Sequence, residues 1–250
     1  MAEMDISVKS TYGIMKKKFV GLITARGGSK GLPRKNVLPI NGTPLIGLTI
    51  NAAQKCGLVS EVYVSTDDAE IAEVSKQFGA KVIQRPEHLA NDTASSIDVI
   101  SHAIEWLTER QELFEDMVLL QPTSPLRTCT HLSEALTQYT ERNASLVISV
   151  FEPGHTPIKS YIQSSDGSIS GLYSNEAPYE RRQDLPKAFQ PNGAIYAFSV
   201  AEFKKINHFP RTNVFPYIMS EANSADIDTI EDLNIVEKRL KELSNDNPCI

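Results

Sequence analysis

Short apolar runs alternate with helical segments through the first 152 residues, and this alternation limits the possible folds more than any other feature of the chain. Strands that are joined through helices make right-handed crossovers, which give a mostly parallel sheet covered by helices on both faces. The pattern therefore predicts an α/β fold. The expected strands are residues 17–24, 61–66, 80–85, 116–121 and 145–152, with helical spacing in each of the four intervals.

Four polar or glycine-containing segments follow these strands directly. They are residues 25–36, 65–68, 85–96 and 121–127. In open α/β sheets, ligands bind beyond the carboxyl ends of the strands. We therefore expect the four segments to lie along one edge of the sheet and to form a binding site there.

The alternation breaks in residues 153–192, which contain several turn signals and no good helical pattern. Residues 193–199 return to a strand pattern, 213–220 give a late strand, and 229–244 have the spacing of an amphipathic helix. We therefore divide the chain into a loose N-terminal extension (1–18), a core (19–152), a small β-rich inserted arm (153–192) and the remainder of the core (193–250).

The segment LITARGGSKGLPRKN, residues 22–36, combines a flexible turn with four cations. No acid occurs between Asp5 and Glu61, whereas nine Lys or Arg residues do, although the whole chain has a formal charge of −6. Glycine turns with free N–H groups attract anions. A phosphate ligand is expected here, while a solvated surface loop remains the alternative. The negative net charge argues against nucleic acid or an anionic membrane as partner, and no apolar run is long enough for a membrane span.

Two common phosphate-binding motifs do not match this loop. The P-loop needs Gly-x-x-x-x-Gly-Lys-Ser/Thr, and no glycine stands at that spacing before Lys30. The dinucleotide fingerprint needs Gly-x-Gly-x-x-Gly, which the sequence around Gly27 and Gly28 does not supply. ATPase and NAD-dehydrogenase functions are therefore disfavoured.

A pair of acids near the end of the chain suggests a metal site. Asp226 and Asp228 are two residues apart, so in an extended segment both carboxylates project from one face. Mg²⁺ prefers oxygen ligands of this kind, completed by phosphate oxygens and water. The alternative is that Asp228, with Thr229, caps the final helix. If the metal interpretation is right, the glycine loop and the acid pair must meet at a shared cavity.

The three cysteines are far apart and odd in number, and they give neither a disulfide framework nor a metal-binding spacing. A reducing cytoplasm is the simplest compartment for such a chain. The five histidines likewise form no spacing for a metal or a catalytic triad.

Seven motifs in order resemble the acylneuraminate cytidylyltransferases, the family of the CMP-sialic acid synthetases and their CMP-legionaminic and pseudaminic acid relatives. They cover the chain from about residue 19 to 243. Thr24 stands where the family usually has proline, with little expected consequence. The motifs are ARGGSKGLPRKN (25–36), STDD (65–68), RPEHLANDTASS (85–96), LLQPTSPLR (119–127), RRQDLP (181–186), NGAIYAF (192–198) and DIDT (226–229).

The resemblance implies a three-layer Rossmann-like nucleotidyltransferase fold in which residues 19–152 bind the nucleotide. It also implies a reaction in which the anomeric hydroxyl of a nine-carbon 2-keto acid sugar attacks the α-phosphorus of CTP. Mg²⁺ assists, the CMP-sugar forms and pyrophosphate leaves. The implied catalytic residues are Arg26, Lys30, Lys35 and Asp228, and the implied metal ligands are Asp226 and Asp228.

The resemblance further implies two sets of binding residues. The nucleotide would contact Ala25, Gly27, Gly28, Ser29, Asn36, Arg85, Ala94 and Ser96. The sugar, with its carboxylate, hydroxyl and amide groups, would contact Gln121, Lys159, Arg182, Gln183, Asn192 and Tyr196.

Family members are commonly homodimers whose arm reaches the partner's site, which would place Lys159 and Arg182 in trans. Three alternatives remain open. They are a synthetase for 3-deoxy-manno-octulosonate, a sugar-phosphate nucleotidyltransferase that uses another triphosphate, and a noncatalytic nucleotide-sugar-binding protein of the same fold.

Overall fold

A computed structural model describes residues 19–28, 31–91, 93–112 and 114–244 of the chain. The expected N-terminal extension (1–18) lies outside the described residues, as do Ser29 and Lys30, so the predictions for those residues remain predictions.

Seven strands form the central sheet, in the order β11-β7-β10-β6-β1-β4-β5. All neighbours in this sheet are parallel except β10, which runs antiparallel to both β6 and β7. The strands are β1 (Phe19–Thr24), β4 (Val59–Thr66), β5 (Lys81–Gln84), β6 (Asp116–Leu120), β7 (Leu146–Phe151), β10 (Gln190–Ser199) and β11 (Val214–Ile218). Short strands β2 (Pro39–Ile40) and β3 (Thr43–Pro44) pair beside it, and β8 (Tyr161–Gln163) pairs with β9 (Ile169–Gly171).

The described residues form six α-helices, of which the first five pack on this sheet. They are α1 (Leu45–Lys55), α2 (Ala69–Gln77), α3 (Ser96–Glu109), α4 (Cys129–Glu141), α5 (Val200–Ile206) and α6 (Ile230–Ser244). One apolar cluster joins α1, α2 and α4 to the sheet, and a second joins α3 and α5 to it. Alternate residues of β1 divide between the two clusters, Phe19 and Ile23 in the first and Val20 and Leu22 in the second. The predicted three-layer α/β architecture is therefore confirmed.

The apolar stripe of α6 packs in a third cluster. Leu233, Val236 and Leu240 lie there with Ile227 and Leu45. This packing attaches the end of the described chain to the start of α1, beside the glycine loop.

The strand and helix predictions are confirmed within a few residues, with two differences. Helix α5 was not predicted, because it is only seven residues long. The direction of β10 was not predicted either, since hydrophobic pattern does not encode orientation. Asp68 caps α2 and accepts the amide hydrogen of Ile71 at 2.9 Å.

The inserted arm carries the β8–β9 hairpin and three short 3₁₀ turns, Pro157–Lys159, Ala177–Tyr179 and Arg182–Asp184. Its apolar side chains are largely exposed, reaching 62% for Tyr173 and 82% for Tyr179.

Two further expectations can be compared with the structure. Cys56 is free and buried, whereas Cys129 is disulfide-bonded, so the absence of a disulfide inferred from the cysteine count is wrong at Cys129. In the part of the chain that is described, none of the helices has both the length and the apolar character needed to cross a bilayer.

Candidate active site

The glycine loop follows β1 at the carboxyl edge of the sheet and is fastened to the segment after β4. The Gly27 amide donates a hydrogen bond to Asp67 Oδ1 at 3.1 Å. This amide therefore already has an acceptor within the protein, and the predicted phosphate contact at Gly27 stays a prediction. Among the described residues other than its chain neighbours, no atom lies within 4 Å of the position where a Cβ on Gly28 would stand.

The far end of the loop is held by Arg34, whose backbone is left-handed (φ 59°). Its guanidinium donates to both carboxylate oxygens of Asp68, at 2.6 and 3.1 Å, and also contacts Glu70. The hydrogen bonds from Arg34 are the main reason that the pKa of Asp68 lies below its usual range. Asp68 thus caps α2 and at the same time anchors the glycine loop through Arg34.

The glycine loop meets the DIDT segment directly. Lys35 Nζ lies 2.8 Å from Asp228 Oδ1 and donates to the carbonyl oxygen of Ile227 at 2.6 Å. Gly31 approaches the same segment so closely that a Cβ there would stand 2.6 Å from the carbonyl oxygen of Asp228. The expectation that the cationic loop and the acid pair meet is confirmed.

The two acids project away from the core on either side of a buried residue. Ile227 is fully buried, while Asp226 and Asp228 are both exposed, the pattern expected when alternate side chains of an extended segment share a face. Partial desolvation raises the pKa of Asp226, and the nearby charge of Asp228 adds to this rise. Two hard oxygen donors beside one lysine are chemically suited to a divalent cation.

The hydrogen bonds at the start of α6 show which residues cap this helix, and so test the alternative that Asp228 is a capping residue. Asp232 Oδ2 accepts hydrogen bonds from the amides of Asp228 and Thr229 at 3.1 and 2.8 Å, and the Asp232 amide donates to Thr229 Oγ1 at 3.2 Å. This is a reciprocal capping arrangement. Thr229 and Asp232 therefore cap the helix, and the Asp228 side chain is not needed for it.

A cavity of about 310 Å³ lies between these two segments and the end of β6. Its lining combines three cationic or amide side chains of the loop with the predicted sugar residue Gln121 and with Asp228. The lining residues are Thr24, Arg26, Gly28, Gly31, Lys35, Asn36, Gln121, Pro122, Thr123 and Asp228.

A second cavity of about 310 Å³ shares Thr24 and Arg26 with the first. It contains three of the predicted nucleotide residues, and the N-terminus of α3 opens onto it. Its lining residues are Thr24, Arg26, Arg85, Leu89, Asn91, Ala94, Ser95, Ser96 and Val99. The two cavities therefore form adjacent halves of one cleft along the sheet edge, which we call the nucleotide cleft.

Arg85 is a largely buried side chain in the second cavity. It donates from Nη2 to the carbonyl oxygen of Ser65 at 2.7 Å and from Nε to Ser65 Oγ at 3.2 Å. Burial lowers the pKa of Arg85 to about 10, which leaves it charged at neutral pH. Asn36, also buried, donates to the carbonyl oxygen of Arg26 at 3.1 Å and so fixes the entrance of the loop. Ala25 is buried, and its amide donates to Ser65 at 3.0 Å.

Asn192 occupies a buried hydrogen-bond network next to Gln121. Its Oδ1 accepts from Ser149 Oγ at 2.6 Å and from the Ala194 amide at 3.1 Å, and its Nδ2 donates to Ser224 Oγ at 2.9 Å. The amide of Asn192 is thus engaged on both sides. Its direct contact with a sugar stays a prediction, while its visible task is to join β7, β10 and the segment that leads to Asp226.

The other predicted sugar residues lie apart from the two cavities. Arg182 donates to the carbonyl oxygen of Gly154 at 2.8 Å, and Lys159 and Gln183 stand on the arm. Tyr196 stacks against Phe209 with ring centroids 5.5 Å apart, and burial raises its pKa. None of these four lines the nucleotide cleft as described above.

Several site residues were missed from the sequence although the motifs that contain them were recognised. They act by holding other residues in place, which spacing alone does not reveal. These residues are Arg34, Asp67, Asp68, Thr123, Arg127 and Gly193.

A parallel-sheet cleft with a cationic glycine loop and a facing acid pair defines a nucleotidyltransferase-type site. The family model described as Cytidylyltransferase matches residues 20–246, and the chain belongs to this family.

Curated relatives have related names. The chain is 34% identical over 222 residues to an N-acylneuraminate cytidylyltransferase of Escherichia coli O18:K1:H7, covering 88% of this chain and 52% of that protein. It is 30% identical over 217 residues to a pseudaminic acid cytidylyltransferase of Campylobacter jejuni subsp. jejuni serotype O:2, covering 86% of this chain and 93% of that one. The chain thus spans about half the length of the N-acylneuraminate relatives that it matches.

A solved structure of CMP:2-keto-3-deoxy-manno-octonic acid synthetase in complex with CTP has the same fold. It superposes with a TM-score of 0.65 at 20% identity, covering 91% of this chain and 100% of that one. A 4-diphosphocytidyl-2C-methyl-D-erythritol synthase superposes with a TM-score of 0.63 at 14% identity, covering 90% and 100%.

Proposed function

We propose that the protein is a cytidylyltransferase that activates a nine-carbon, sialic-acid-like 2-keto acid sugar with CTP. The observation that carries the proposal is the contact of Lys35 with Asp228 at the wall of a cavity that Gln121 also lines. Cations for a triphosphate, acids for a metal and an amide for a sugar hydroxyl are thereby gathered around one space. The names of the N-acylneuraminate and pseudaminic acid relatives support the same chemistry.

In this reaction the anomeric oxygen forms a bond to the α-phosphorus, and the bond from that phosphorus to the bridging oxygen breaks. Negative charge builds up on the α-phosphate and on the departing pyrophosphate. Arg26 and Lys35 line the cavity where this charge would develop, and Lys30 belongs to the same loop in the sequence. Positioned cations of this kind stabilise the transition state without reorganisation.

The metal in the proposal is Mg²⁺, held by Asp226 and Asp228. Their carboxylates project from one side of the segment beside Lys35 and offer hard oxygen donors, so they fit the ion. When bound, Mg²⁺ would polarise the α-phosphate and lower the pKa of the sugar hydroxyl. Lys35, held also by the Ile227 carbonyl, would stay within reach of the phosphate that approaches the acid pair.

The second cavity is proposed to hold the cytosine and ribose. Arg85 has hydrogen bonds to Ser65 that fix its direction, and the amide-rich start of α3 supplies donors and acceptors near Ala94 and Ser96. Arg26, which lines both cavities, lies where base and phosphate portions of one nucleotide would join. CTP-requiring chemistry of this kind fits a cytoplasmic location.

The test is release of pyrophosphate with CTP and Mg²⁺ in the presence of N-acetylneuraminic, legionaminic or pseudaminic acid, with 3-deoxy-manno-octulosonate as a fourth arm. We expect release with at least one nine-carbon sugar and none with the eight-carbon sugar. Thermal-shift measurements with the four nucleoside triphosphates provide the companion assay, in which CTP should stabilise the protein most. Stabilisation by CTP without release in any arm would instead favour the noncatalytic alternative.

The proposed assembly is a homodimer made through the arm, with Lys159 and Arg182 serving the partner's sugar site. The support is the exposure of Ile169, Tyr173 and Tyr179, at 61%, 62% and 82%. Clustered exposed apolar side chains are typical of protein–protein contacts. The double variant Ile169→Asp with Tyr173→Asp should be a monomer by light scattering. Ile235→Asp, which changes an equally exposed side chain on α6, should leave the mass unchanged.

A further inference from the structure

Strands β6 and β10 separate at the point where they reach the nucleotide cleft. Their antiparallel ladder runs from Ser199–Asp116 to Tyr196–Leu119. Continued in register, the next two pairs would be Ile195–Leu120 and Ala194–Gln121. The ladder ends before them, and in the same stretch β10 shifts its register against β7, between Pro191 and Tyr196.

A single buried guanidinium occupies this point of separation. Arg127 Nη1 donates to the carbonyl oxygen of Gln121 at 3.2 Å and to that of Ala194 at 2.9 Å. These are the two residues that would face each other if the ladder continued. Arg127 therefore links the ends of β6 and β10 at a point where the two strands are no longer paired with each other.

The chemical setting of Arg127 is unusual for a residue that only fills space. Its side chain is 2% exposed, and within the described chain its Nε and Nη2 have no hydrogen-bond partner. Burial lowers the pKa of Arg127 to about 9. A buried charge without an acid partner is costly, and apolar residues of similar volume are commonly more stable in such places. A small cavity of about 20 Å³ beside it has room for one water molecule.

The side chain of Gln121 lies beside this bridge. Gly193, next to Ala194, has φ +75°, and a Cβ there would stand 2.2 Å from Gln121 Oε1. The side chain of Gln121 therefore lies directly over the backbone of β10. In the segment that follows Gln121, Ser124 Oγ donates a hydrogen bond to the Asn192 carbonyl oxygen of β10 at 2.8 Å. A shift of either strand end would move the Gln121 amide relative to the cavity that it lines.

We infer that Arg127 is a positioning residue for the sugar half of the nucleotide cleft, fixing the ends of β6 and β10 so that Gln121 presents its amide to the sugar. This inference rests on the proposed function for its kinetic test, since Gln121 is assigned to the sugar there. It assigns no contact with CTP to Arg127, which is absent from the lining of both halves of the cleft.

The test compares Arg127→Met and Arg127→Lys with Tyr139→Phe. Tyr139 Oη donates to Asp116 Oδ1 at 2.5 Å, at the opposite end of β6, so its removal loosens the same strand far from the site. Arg127→Met should raise the KM for the sugar by about tenfold or more, because small misplacements of a binding group are costly. The KM for CTP should stay at the wild-type value. Arg127→Lys should recover part of the loss, because an ammonium can still donate to the two carbonyls.

Amide hydrogen exchange provides a readout that does not need turnover. Arg127→Met should speed exchange at residues 193–195, and Tyr139→Phe should leave these amides slow. If Arg127→Met and Tyr139→Phe both raise the KM for the sugar together with the KM for CTP, and both speed exchange at residues 193–195 equally, Arg127 is merely a core residue and the inference is wrong. Unchanged exchange at residues 193–195 in Arg127→Met also overturns it. An inactive wild-type protein would count against the proposed function, and the exchange result would still decide the role of Arg127.

Discussion

The two ends of the nucleotide cleft are held by different kinds of interaction. The phosphate end, where the glycine loop meets the DIDT segment, is held by ion pairs with exposed members; the side chain of Asp228 is 73% exposed and that of Arg34 is 40% exposed. The sugar end, around Gln121, is held by buried groups, with Ser149 fully buried and Asn192 only 5% exposed. The phosphate end is held by exposed charged groups, and the sugar end is held mainly by buried groups.

This difference corresponds to what each end must do in the proposed reaction. A triphosphate and a metal bring large charges, so the cations and acids that receive them must be able to exchange partners. Exposed ion pairs are individually weak and can be exchanged at little cost. A sugar offers hydroxyl and amide groups whose recognition depends on fixed geometry. Buried hydrogen bonds, such as those between Asn192, Ser149 and Ser224, supply that rigidity.

The largest expected effect comes from removing an acid at the phosphate end. Asp228→Ala should lower kcat by about 10³-fold, because a charged group at the reacting phosphate is lost. The melting temperature should change little, since this side chain is 73% exposed and Lys35 keeps the Ile227 carbonyl as partner. Steady-state kinetics and thermal unfolding measure the two quantities.

Asp232→Asn is the matched control for this prediction. It lies four residues away and alters the cap of α6, for which a cost of about 1 kcal/mol in unfolding free energy is typical. Its turnover should stay near the wild-type rate. Full activity in Asp228→Ala, or an equal loss in both variants, would show that the Asp228 carboxylate has no specific role in the reaction.

The sequence predicted the phosphate end of the cleft better than the sugar end. Strand and helix periodicity predicted the sheet, and the metal interpretation correctly predicted that the glycine loop and Asp228 line one cavity. The separation of β6 and β10 could not be predicted, because the contacts of Arg127 with the two carbonyls at that point are visible only in the folded chain. Asn192 had been read as a sugar ligand from its motif, while its hydrogen bonds to Ser149 and Ser224 become visible only in three dimensions.

An intermediate effect is expected from closing the space under Gln121 at the sugar end. Gly193→Ala forces a Cβ into a position 2.2 Å from Gln121 Oε1 and also strains a backbone at φ +75°. The unfolding free energy should fall by about 2 kcal/mol, and the KM for the sugar should rise by about tenfold. Denaturant unfolding and steady-state kinetics measure both.

Gly42→Ala separates the two causes. Gly42 has φ +82°, and apart from its chain neighbours no atom of the described residues lies within 4 Å of the position of its added Cβ, so this variant carries the strain alone. It should lose about 1 kcal/mol of stability and keep the wild-type KM for the sugar. Equal KM values in the two alanine variants would mean that the position of Gln121 does not matter for the sugar.

The smallest effect concerns the Arg34–Asp68 pair at the phosphate end, and it depends on pH. The pKa of Asp68 is lowered in the folded protein, mainly by hydrogen bonds from Arg34. The pair therefore stabilises the fold above the unfolded pKa of about 4, and this contribution is lost as pH falls through the folded pKa. Asp68→Asn, which keeps a capping side chain, should cost about 1 kcal/mol at pH 7 and progressively less below pH of about 4.

Ser149→Ala provides the contrasting measurement at the sugar end. Ser149 Oγ donates to Asn192 Oδ1 at 2.6 Å and accepts the Ile195 amide hydrogen at 2.7 Å, with no charged group in either bond. Its cost should therefore be independent of both pH and salt, whereas the cost of Asp68→Asn should shrink in about 1 M NaCl because the pair is partly exposed. The contrary result is that the loss of unfolding free energy, measured in urea, depends on pH and salt in the same way for both variants. The two ends of the cleft would then not differ as their burial indicates, and the argument that charged groups at the phosphate end exchange partners would be wrong.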